Sequence, residues 1–430
     1  MAQTTPKLAF QLNPNLIDTN PPPIPLAASW ASLYTPTPSH PLINLAQGVP
    51  GAPPPPDFQK RLGEAAADAS TTTYGDLRGD EALREGLARD VNAVYETDVQ
   101  AEEITITAGC NLAFYATMVS LAKAGDEIIV PTPWYFNNEV RPSQISPPVS
   151  PLTPHPLQMT LHQLGIHPIP LPCPPPAFLP SPTLCASLIT SRTRAIILVS
   201  PNNPTGAIYP PELITEFGIL AREKGVALVV DETYREFLPA VGQKPHGLFS
   251  AKGEEEDWRG YLIQLFSFSK SYAIPGHRLG SIIASLPIQL QIHKTMDCLQ
   301  ICPARPAQVA VAWAIDGTRP WREGVTKELV ERARVFRDGM EEAEGWEVMT
   351  GGGYFAYVKH PFIGVSSEKV AASLAEKVGV VVLPGTFFGP KFELIDDDRY
   401  LRFSIANVGQ ETLKMVPERL RRMVEIGVKP

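Results

Sequence analysis

The sequence predicts an α/β protein, in which a large domain with a mostly parallel sheet is joined by a smaller α+β domain. Short β-branched segments that end in Gly, Pro or Asp alternate with helical patterns, as in parallel sheets with crossover helices. From about residue 320 the pattern changes to a long charged helix followed by a few short strands. We therefore expect right-handed crossovers and ligands beyond the carboxyl ends of the large domain's strands.

The predicted elements follow from residue spacing and turn signals. Residues 1–58 are rich in proline, so they are expected to be mostly extended and to join the small domain. The large domain is expected to span residues 59–315 and the small domain residues 316–430. Helices are identified by their 3.6-residue spacing and strands by their β-branched content. In chain order the segments are DEALREGLARDVNAVY (helix), EITITAG, NLAFYATMVSLAKA (helix), DEIIVPTP, RAIILVSPNNPTG, PELITEFGILAREKG (helix), ALVVDETY, YLIQLFSFS, REGVTKELVERARVFRDGMEEAE (helix), GGYFAYVKH, VVVLPG and YLRFSIAN.

Composition and charge narrow the class of protein. Of the 430 residues, 44% are apolar and 19% charged, as in a globular protein with a sizeable core. The formal net charge is −8 without a basic block, which argues against a nucleic acid or an anionic membrane as the main partner. No apolar run is long enough to span a membrane, and the N-terminus lacks a signal or transit pattern.

The five cysteines form neither a disulfide framework nor a metal-site pattern. Cys298 and Cys302 lie four residues apart, but no set of histidines or cysteines completes a zinc site with them. We therefore expect reduced thiols in a cytoplasmic protein, and no bound metal.

The residues that suggest chemistry fall at the ends of predicted strands. Lys270 follows a buried strand in SFSKSYAIPGHRLG, where desolvation lowers the pKa of a lysine and lets its amine form a Schiff base with a carbonyl. Arg278, with Ser267 and Ser269, offers hydrogen-bond donors that suit a phosphate. TAGCN precedes a helix, so its backbone N–H groups can bind an anion.

A second group of polar residues completes the pattern. Asp231 closes the strand ALVVD, where a buried carboxylate needs a cationic partner such as a protonated pyridine nitrogen. Tyr234, three residues on, and Asn203 in NNPTG are candidate donors to a phenolate oxygen. A phosphate anchor, a Schiff-base lysine, a pyridinium partner and phenolate donors together describe a pyridoxal 5′-phosphate site.

With these motifs the chain resembles the class I/II aminotransferases of fold type I, the aspartate aminotransferase superfamily. The resemblance runs from LAQGVPGAPPPPDF to YLRFSIANVG; SFSKSYAIPGHRLG and SPNNPTG are its specific parts, whereas DETY alone is weak. It implies that Lys270 forms the internal aldimine and shuttles protons. It also implies that Asp231 pairs with the pyridine nitrogen, and that Tyr234 and Asn203 hold the phenolic oxygen.

The resemblance extends to the phosphate and to the ring. It implies that Ser267 and Arg278 bind the phosphate, together with backbone N–H groups of Cys110 and Asn111. Tyr135, in PTPWYF, matches the residue that stacks on the ring face. Cys110 is a departure, because a small residue is more usual there, and it is tolerated if only its N–H matters.

The remaining matches concern the substrate and a second subunit. Arg402 in YLRFS is implied to clamp the substrate α-carboxylate, helped by Gly48 in LAQGVPG. Tyr74 in TTYGDLRG matches the tyrosine that reaches the phosphate of the neighbouring subunit, which implies a homodimer with shared active sites. Structural alternatives stay open: Asp231 as a helix N-cap, Arg402 in a surface salt bridge, and Tyr74 and Tyr135 as packing aromatics.

Arg305, in CPARPAQ, does not align with any residue to which the family resemblance assigns a role. Some dicarboxylate-specific members of the family carry a second arginine in this region, but the matching position here falls near Cys298. Arg305 is either a substrate contact or a donor to a loop backbone. Without a matched second arginine, the amino-acid substrate is expected to be neutral or aromatic.

Residues 140–158, VRPSQISPPVSPLTPHPLQ, interrupt the family pattern with six prolines in nineteen residues and no acidic residue. Their removal leaves PWYFNNEMTLHQLGI, a continuous helix-compatible sequence, and nineteen codons keep the reading frame. Valine codons begin with GT and one glutamine codon ends in AG. Our hypothesis is a retained intron, and the alternative is a genuine disordered surface loop. Sequencing the transcript distinguishes the two.

The resemblance predicts an aminotransferase that moves an amino group from an L-amino acid to a 2-oxo acid. An α,β-eliminating lyase or an enzyme similar to 1-aminocyclopropane-1-carboxylate synthase is the alternative, because one carbanion serves these reactions on one fold. They are distinguished by whether the pyridoxamine form of the cofactor appears. A non-enzymatic binding or regulatory protein is a third hypothesis, which the filled cofactor positions disfavour.

Overall fold

The structure, a computed structural model, describes residues 9–17, 24–135, 159–250, 257–389 and 397–428. The predicted insertion at residues 140–158 therefore lies outside the described residues. The strands are β1 (Ile43–Asn44), β2 (Ile104–Thr107), β3 (Glu127–Thr132), β4 (His167–Pro172), β5 (Thr193–Val199), β6 (Ala227–Asp231), β7 (Leu262–Ser267), β8 (Gly280–Ile283), β9 (Glu347–Gly352), β10 (Phe355–Lys359), β11 (Val380–Val381), β12 (Leu383–Pro384) and β13 (Tyr400–Ser404).

Helices surround these strands. They are α1 (Pro14–Ile17), α2 (Ile24–Ala31), α3 (Pro56–Ala67), α4 (Glu81–Tyr95), α5 (Cys110–Leu121), α6 (Met159–Gln163), α7 (Pro182–Leu188), α8 (Pro211–Lys224), α9 (Phe268–Ser271), α10 (Leu286–Leu299), α11 (Arg305–Gly317), α12 (Arg319–Met340), α13 (Ser367–Ser373), α14 (Gln410–Leu413) and α15 (Val416–Ile426). Within the described ranges, no helix combines the length and the apolar character needed to cross a membrane.

The large sheet is mostly parallel, as the alternating pattern predicts. Its seven strands lie in the order β2, β8, β7, β6, β5, β3, β4. Strands β3 to β7 pair in parallel, and β8 runs antiparallel to both of its neighbours. Alternate residues of β6 join different cores: Leu228 and Val230 pack with α4, α8 and α11, whereas Val229 packs with α5 and α10. The predicted α/β class with helices on both faces is confirmed.

Two strands of this sheet were not predicted, β4 and β8. Strand β4 carries prolines at alternate positions, Pro168, Pro170 and Pro172. The residues that alternate with the prolines donate the backbone hydrogen bonds on the side of β3. For example, the His167 N–H donates to the Asp126 carbonyl at 2.8 Å. The prolines are tolerated because β4 is an edge strand that needs donors on one side only.

The small domain is built on the sheet β12, β13, β10, β9, which is antiparallel throughout. Its core takes in residues of α12, α13 and α15, and it also includes Ala27 and Trp30 of α2. Strand β1 pairs in parallel with β11, and Trp30 stacks on Phe387 with ring centroids 6.2 Å apart. The part of the N-terminal segment from α2 to β1 therefore packs on this domain, whereas α1 contacts α6 beside the large sheet. The domain bounds at residues 58 and 315 stay a prediction.

The contact between the N-terminal segment and Gly379 gives a test of this packing. Gly379 has φ +67°, and a Cβ on it would lie 2.4 Å from the Tyr34 ring. We expect Gly379→Ala to lower the free energy of unfolding by about 1–3 kcal/mol, because left-handed strain adds to displacement of Tyr34. Urea unfolding followed by circular dichroism measures the change.

A matched alanine substitution serves as the control. Gly63 lies inside α3, and a Cβ there would meet no described atom within 4 Å. We expect Gly63→Ala to leave the stability unchanged or to raise it by up to about 1 kcal/mol, through helix propensity. Equal effects of the two substitutions would contradict the packing of Tyr34 on Gly379.

Candidate active site

A cavity of about 640 Å³ lies beyond the carboxyl ends of β5, β6 and β7. The N-terminus of α5, the segment after β1 and strand β13 of the small domain also contribute to its wall. All the predicted site residues except Tyr74 line this one cavity: Gly48, Cys110, Asn111, Tyr135, Asn203, Asp231, Tyr234, Ser267, Lys270, Arg278 and Arg402. This placement is where ligands of open α/β sheets bind.

Lys270 presents a single amine to the cavity. It lies on α9, the one-turn helix that directly follows β7, and its Nζ donates a hydrogen bond to the Gly48 carbonyl at 2.5 Å. Burial, followed by the charges of the nearby Arg402 and Arg278, lowers the pKa of Lys270 to about 8. An amine with this pKa is partly neutral near physiological pH, so it can attack a carbonyl or accept a proton.

The start of α5 and Arg278 form an anion-binding cradle. Gly109 precedes the helix with φ +89°, and a Cβ on it would lie 2.3 Å from Arg278 Nη2. The glycine therefore lets the guanidinium approach the first turn, where the N–H groups of Cys110 and Asn111 have no partner within the helix. Ser267 lines the same wall. A phosphate fits this combination of a helix N-terminus, a guanidinium and a hydroxyl.

Asp231 ends β6 with its carboxylate held from one side. The Thr233 hydroxyl and N–H both donate to its Oδ1, at 2.7 and 2.9 Å. Burial raises the pKa of the Asp231 carboxyl, and the bonds from Thr233 act in the opposite direction. Asp231 does not cap a helix, because the next helical turn begins at Arg235. A cation beside Oδ2 would keep the carboxylate ionised.

Cys110 adds a neutral thiol beside this carboxylate. Its Sγ lies 3.9 Å from Asp231 Oδ2 and 3.8 Å from the Thr233 hydroxyl oxygen. Burial and the neighbouring Asp231 raise the pKa of the Cys110 thiol well above its usual range. The thiol therefore stays protonated and adds no negative charge to the site.

Tyr234 and Asn203 also line the cavity and supply hydrogen-bond donors to it. Tyr234 is 5% exposed, and burial raises the pKa of its phenol, which therefore stays protonated. Asn203 Oδ1 accepts a hydrogen bond from Arg402 Nη1 at 2.9 Å, which leaves the Asn203 NH₂ as the donor group. Both residues suit a ligand oxygen that carries negative charge.

Arg402 is a buried cation rather than part of a surface salt bridge. Only 2% of it is exposed, and its guanidinium lies between the rings of Phe355 (4.6 Å) and Phe388 (4.9 Å). Its Nη2 donates to the Ala46 carbonyl, whereas its Nε has no hydrogen-bond partner among the described residues. Burial lowers the pKa of Arg402 to about 10. A carboxylate ligand would supply the missing acceptor and counter-charge.

The rest of the wall is mostly apolar. Trp134 is 4% exposed, and its backbone N–H donates to the Phe388 carbonyl at 2.6 Å, which fixes the segment that carries Tyr135 into the cavity. Other apolar lining residues are Ile24, Val49, Phe114 and Met159. This wall suits a flat ring and an uncharged side chain.

Tyr74 is the exception among the predicted residues. It follows a short 3₁₀ turn, Ala69–Thr72, and 79% of it is exposed. It lines a separate surface depression with Asp76, Arg78 and Arg305. Within one chain, the cavity is formed without Tyr74.

Sequence reasoning missed several residues of the site. Thr233 had a local signal, because a hydroxyl two residues after a carboxylate often bonds to it. Phe355 packs on both Arg402 and Gly48, where a Cβ would lie 2.7 Å from its ring. Ile24 reaches the cavity from α2. These last two come from distant parts of the chain, and no local pattern marks them.

The lowered pKa of Lys270 can be tested without a substrate. In protein freed of cofactor, reductive methylation with formaldehyde should label Lys270 with a midpoint near pH 8, about two units below an ordinary lysine, because only the neutral amine attacks. Peptide mass spectrometry measures the labelling at each pH.

Lys60, whose side chain is 75% exposed, is the internal reference. Arg402→Gln should raise the midpoint for Lys270, since it removes a neighbouring positive charge. Equal midpoints for the two lysines would contradict the burial of the Lys270 amine.

Comparison with known proteins agrees with this geometry. The model of the family "Aminotransferase class I and II" matches residues 40–141 and 159–420. An aspartate aminotransferase of Pyrococcus horikoshii is 27% identical over 389 residues, 89% of this chain and 91% of that protein. The aromatic aminotransferase ISS1 of Arabidopsis thaliana is 27% identical over 388 residues, 89% and 90% of the two chains.

Solved structures agree in fold. Substrate-bound BacF from Bacillus subtilis has a TM-score of 0.81 at 23% identity and covers 96% of this chain and 98% of its own. YbdL from Escherichia coli, described as having a methionine aminotransferase function, has a TM-score of 0.81 at 23% identity and covers 96% and 100%. The resemblance inferred from the motifs is confirmed, and the named relatives do not favour the lyase alternative. The chain therefore belongs to the class I and II aminotransferases and is an enzyme that uses pyridoxal 5′-phosphate.

Proposed function

We propose that the chain transfers the amino group of an L-amino acid with a neutral, apolar or aromatic side chain to a 2-oxo acid. The observation that carries this proposal is the distribution of positive charge. Among the described lining residues the cations are Lys270, Arg278 and Arg402. We assign these three to the cofactor aldehyde, the cofactor phosphate and the substrate α-carboxylate. The side chain of the substrate then meets the apolar wall.

The residues of the cavity fit the cofactor. The cradle at Gly109 and Arg278 accepts its phosphate, with the Ser267 hydroxyl and the N–H groups of Cys110 and Asn111. We assign Asp231 to the ring nitrogen, because its Oδ2 remains for a cationic partner. Tyr234 and Asn203, which also line the cavity, would donate to the phenolic oxygen, and Tyr135 would lie against the ring.

The bound cofactor supplies an aldehyde and an electron-withdrawing ring, which makes the Cα–H bond of an attached amino acid acidic. Lys270 Nζ is the group that takes and returns this proton, since its pKa of about 8 lets it serve as both base and acid near neutral pH. Arg402 orients the substrate through its carboxylate, and Gly48 permits close approach because it has no side chain. A positive charge at the ring nitrogen would keep Asp231 ionised, against the effect of its burial on the carboxyl pKa.

The preference for neutral substrates contrasts with some relatives, which are named aspartate aminotransferases. A second carboxylate would need its own cation, because an unpaired buried charge is costly. Arg305 does not line the cavity, and its Nε and Nη1 contact Asp80, Ser70 and Thr73 of its own chain. The loop-donor interpretation of Arg305 is thus the one that its contacts favour.

We also propose that the enzyme is a homodimer with shared active sites. Tyr74 is highly exposed and lies outside the cavity of its own chain. Its contact with a cofactor phosphate would therefore be made in the cavity of a second copy of the chain. Ile301 precedes Cys302, which contacts Gly75, and is 46% exposed; Leu290 and Leu299 of the preceding helix α10 are 60% and 47% exposed. Apolar side chains so placed suit burial between two copies.

Two further expectations stay proposals. The five cysteines are all free, which supports a reducing compartment such as the cytoplasm. The family match stops at residue 141 and resumes at 159, which supports an insertion of about the extent that we hypothesise at 140–158.

The substrate proposal is tested by single-turnover half-reactions. L-amino acids are added one at a time without an acceptor, and cofactor absorbance is followed. We expect apolar and aromatic donors to convert the cofactor to its amino form with kcat/KM at least about tenfold above aspartate, because of the uncompensated second carboxylate. Arg402→Gln should slow all donors alike, since they share the α-carboxylate.

A 2-oxo acid should reverse the change. Aspartate as the fastest donor would contradict the substrate proposal, and release of ammonia without the amino form would favour elimination.

The dimer is tested by sedimentation velocity of the holoenzyme. We expect twice the mass of one chain, and Leu299→Glu should shift the equilibrium towards monomer, because it places a charge in an apolar contact. Ile363→Glu is the matched control, since Ile363 is 72% exposed on the small domain. A monomer for the unmodified enzyme, or equal effects of both substitutions, would contradict the proposed interface.

A further inference from the structure

The segment that carries Tyr74 is fixed although Tyr74 itself is exposed. Arg305 Nη1 donates to the Ser70 carbonyl at 2.6 Å and contacts the Thr73 hydroxyl oxygen at 3.3 Å. On the other side of Tyr74, the Gly75 N–H donates to Cys302 Sγ at 3.4 Å. The start of α11 and the residues just before it therefore hold the backbone before and after Tyr74.

Arg305 is itself anchored by the start of α4. Its Nε lies 3.2 Å from Asp80 Oδ1, and the two side chains are only 24% and 14% exposed. The Asp80 N–H donates to Oε1 of the buried Gln308 at 2.7 Å, and Gln308 Nε2 donates to the Pro303 carbonyl at 2.9 Å. A guanidinium with several defined acceptors has one orientation, unlike the cation of an isolated surface ion pair.

A fixed segment that displays an exposed aromatic residue has a physical use in binding. Ordering a flexible segment during association costs conformational entropy at every backbone residue. A segment held beforehand avoids this cost, so its side chain binds a partner more tightly. The Arg305 contacts thus affect how tightly Tyr74 binds a partner, although Arg305 itself does not line the cavity.

We propose that Arg305 is a positioning residue that holds the segment from Ser70 to Gly75, so that the Tyr74 hydroxyl reaches the cofactor phosphate of a second copy of the chain. The inference rests on the proposed dimer with shared sites. Arg305 acts through Tyr74 and not through contact with the substrate. Cys302 supports the same segment from its other end.

A double-mutant cycle on the holoenzyme tests the proposal. The variants are Tyr74→Phe, which removes only the hydroxyl, Arg305→Gln, and the two combined. The readouts are the dissociation constant of pyridoxal 5′-phosphate and the sedimentation of the holoenzyme. Arg89→Gln is the matched control, because Arg89 is 64% exposed and pairs with Asp316 at the surface.

We expect Tyr74→Phe and Arg305→Gln each to weaken cofactor retention by about tenfold, the effect of losing a hydrogen bond to a charged group. The combined variant should be no weaker than Tyr74→Phe alone, because both remove one interaction. Arg305→Lys, which keeps a cation and a donor, should restore part of the retention. If Arg305→Gln does not fold, Arg305→Lys replaces it in the cycle. Arg89→Gln should change nothing.

Several results would overturn the inference. Additive losses in the combined variant would show that Arg305 acts independently of Tyr74. Unchanged cofactor retention in Arg305→Gln, with a raised KM for dicarboxylates, would make Arg305 a substrate contact. Weaker retention in Tyr74→Phe but not in Arg305→Gln would overturn this inference alone. No effect of Tyr74→Phe would overturn the shared site and the role of Arg305 together.

Discussion

The site depends on three positive side chains that line one cavity, of which Arg402 is buried, Lys270 is half-buried and Arg278 is exposed. Burial, and after it the charges of Arg402 and Arg278, lowers the pKa of Lys270, and burial lowers the pKa of Arg402 itself. The protein offers backbone carbonyls of Ala46 and Gly48 as acceptors for two of these cations. Carbonyl dipoles compensate a buried charge only in part. A ligand that brings a phosphate and a carboxylate is therefore bound by charges already in place.

The need for acceptors beside these cations connects the two domains. The carbonyls of Ala46 and Gly48 belong to the segment after β1, and β1 pairs with β11 of the small domain. Arg402 comes from β13, whereas Lys270 follows β7 of the large sheet. The site is thus assembled from three parts of the chain that are far apart in sequence. The segment after β1 supplies the carbonyl acceptors, and the other two parts supply the cations that donate to them.

The sequence alone predicted the residues whose chemistry is local. Lys270 and Asp231 are recognisable because a buried strand precedes each of them, and the ends of parallel strands meet at one edge. The contact between Asn203 and Arg402 joins residues that are 199 positions apart; Asn203 was a candidate from its motif, whereas only the family resemblance suggested Arg402. The packing of Phe355 under Arg402 and the anchoring of Arg305 by Asp80 had no signal, because tertiary packing decides them. Strand β4 was missed because proline usually argues against a strand.

The prolines of β4 also decide how the large sheet ends. Its ladder to β3 uses the N–H groups of the odd-numbered residues, such as His167, so Pro168, Pro170 and Pro172 occupy the outward-facing donor positions. A neighbouring strand that approached this edge would find carbonyls but no N–H groups at these positions. The edge cannot template strand addition, which is the usual route from an exposed sheet to aggregates. Strand pairing between two copies is therefore blocked at this side of the large sheet, whose other edge is β2.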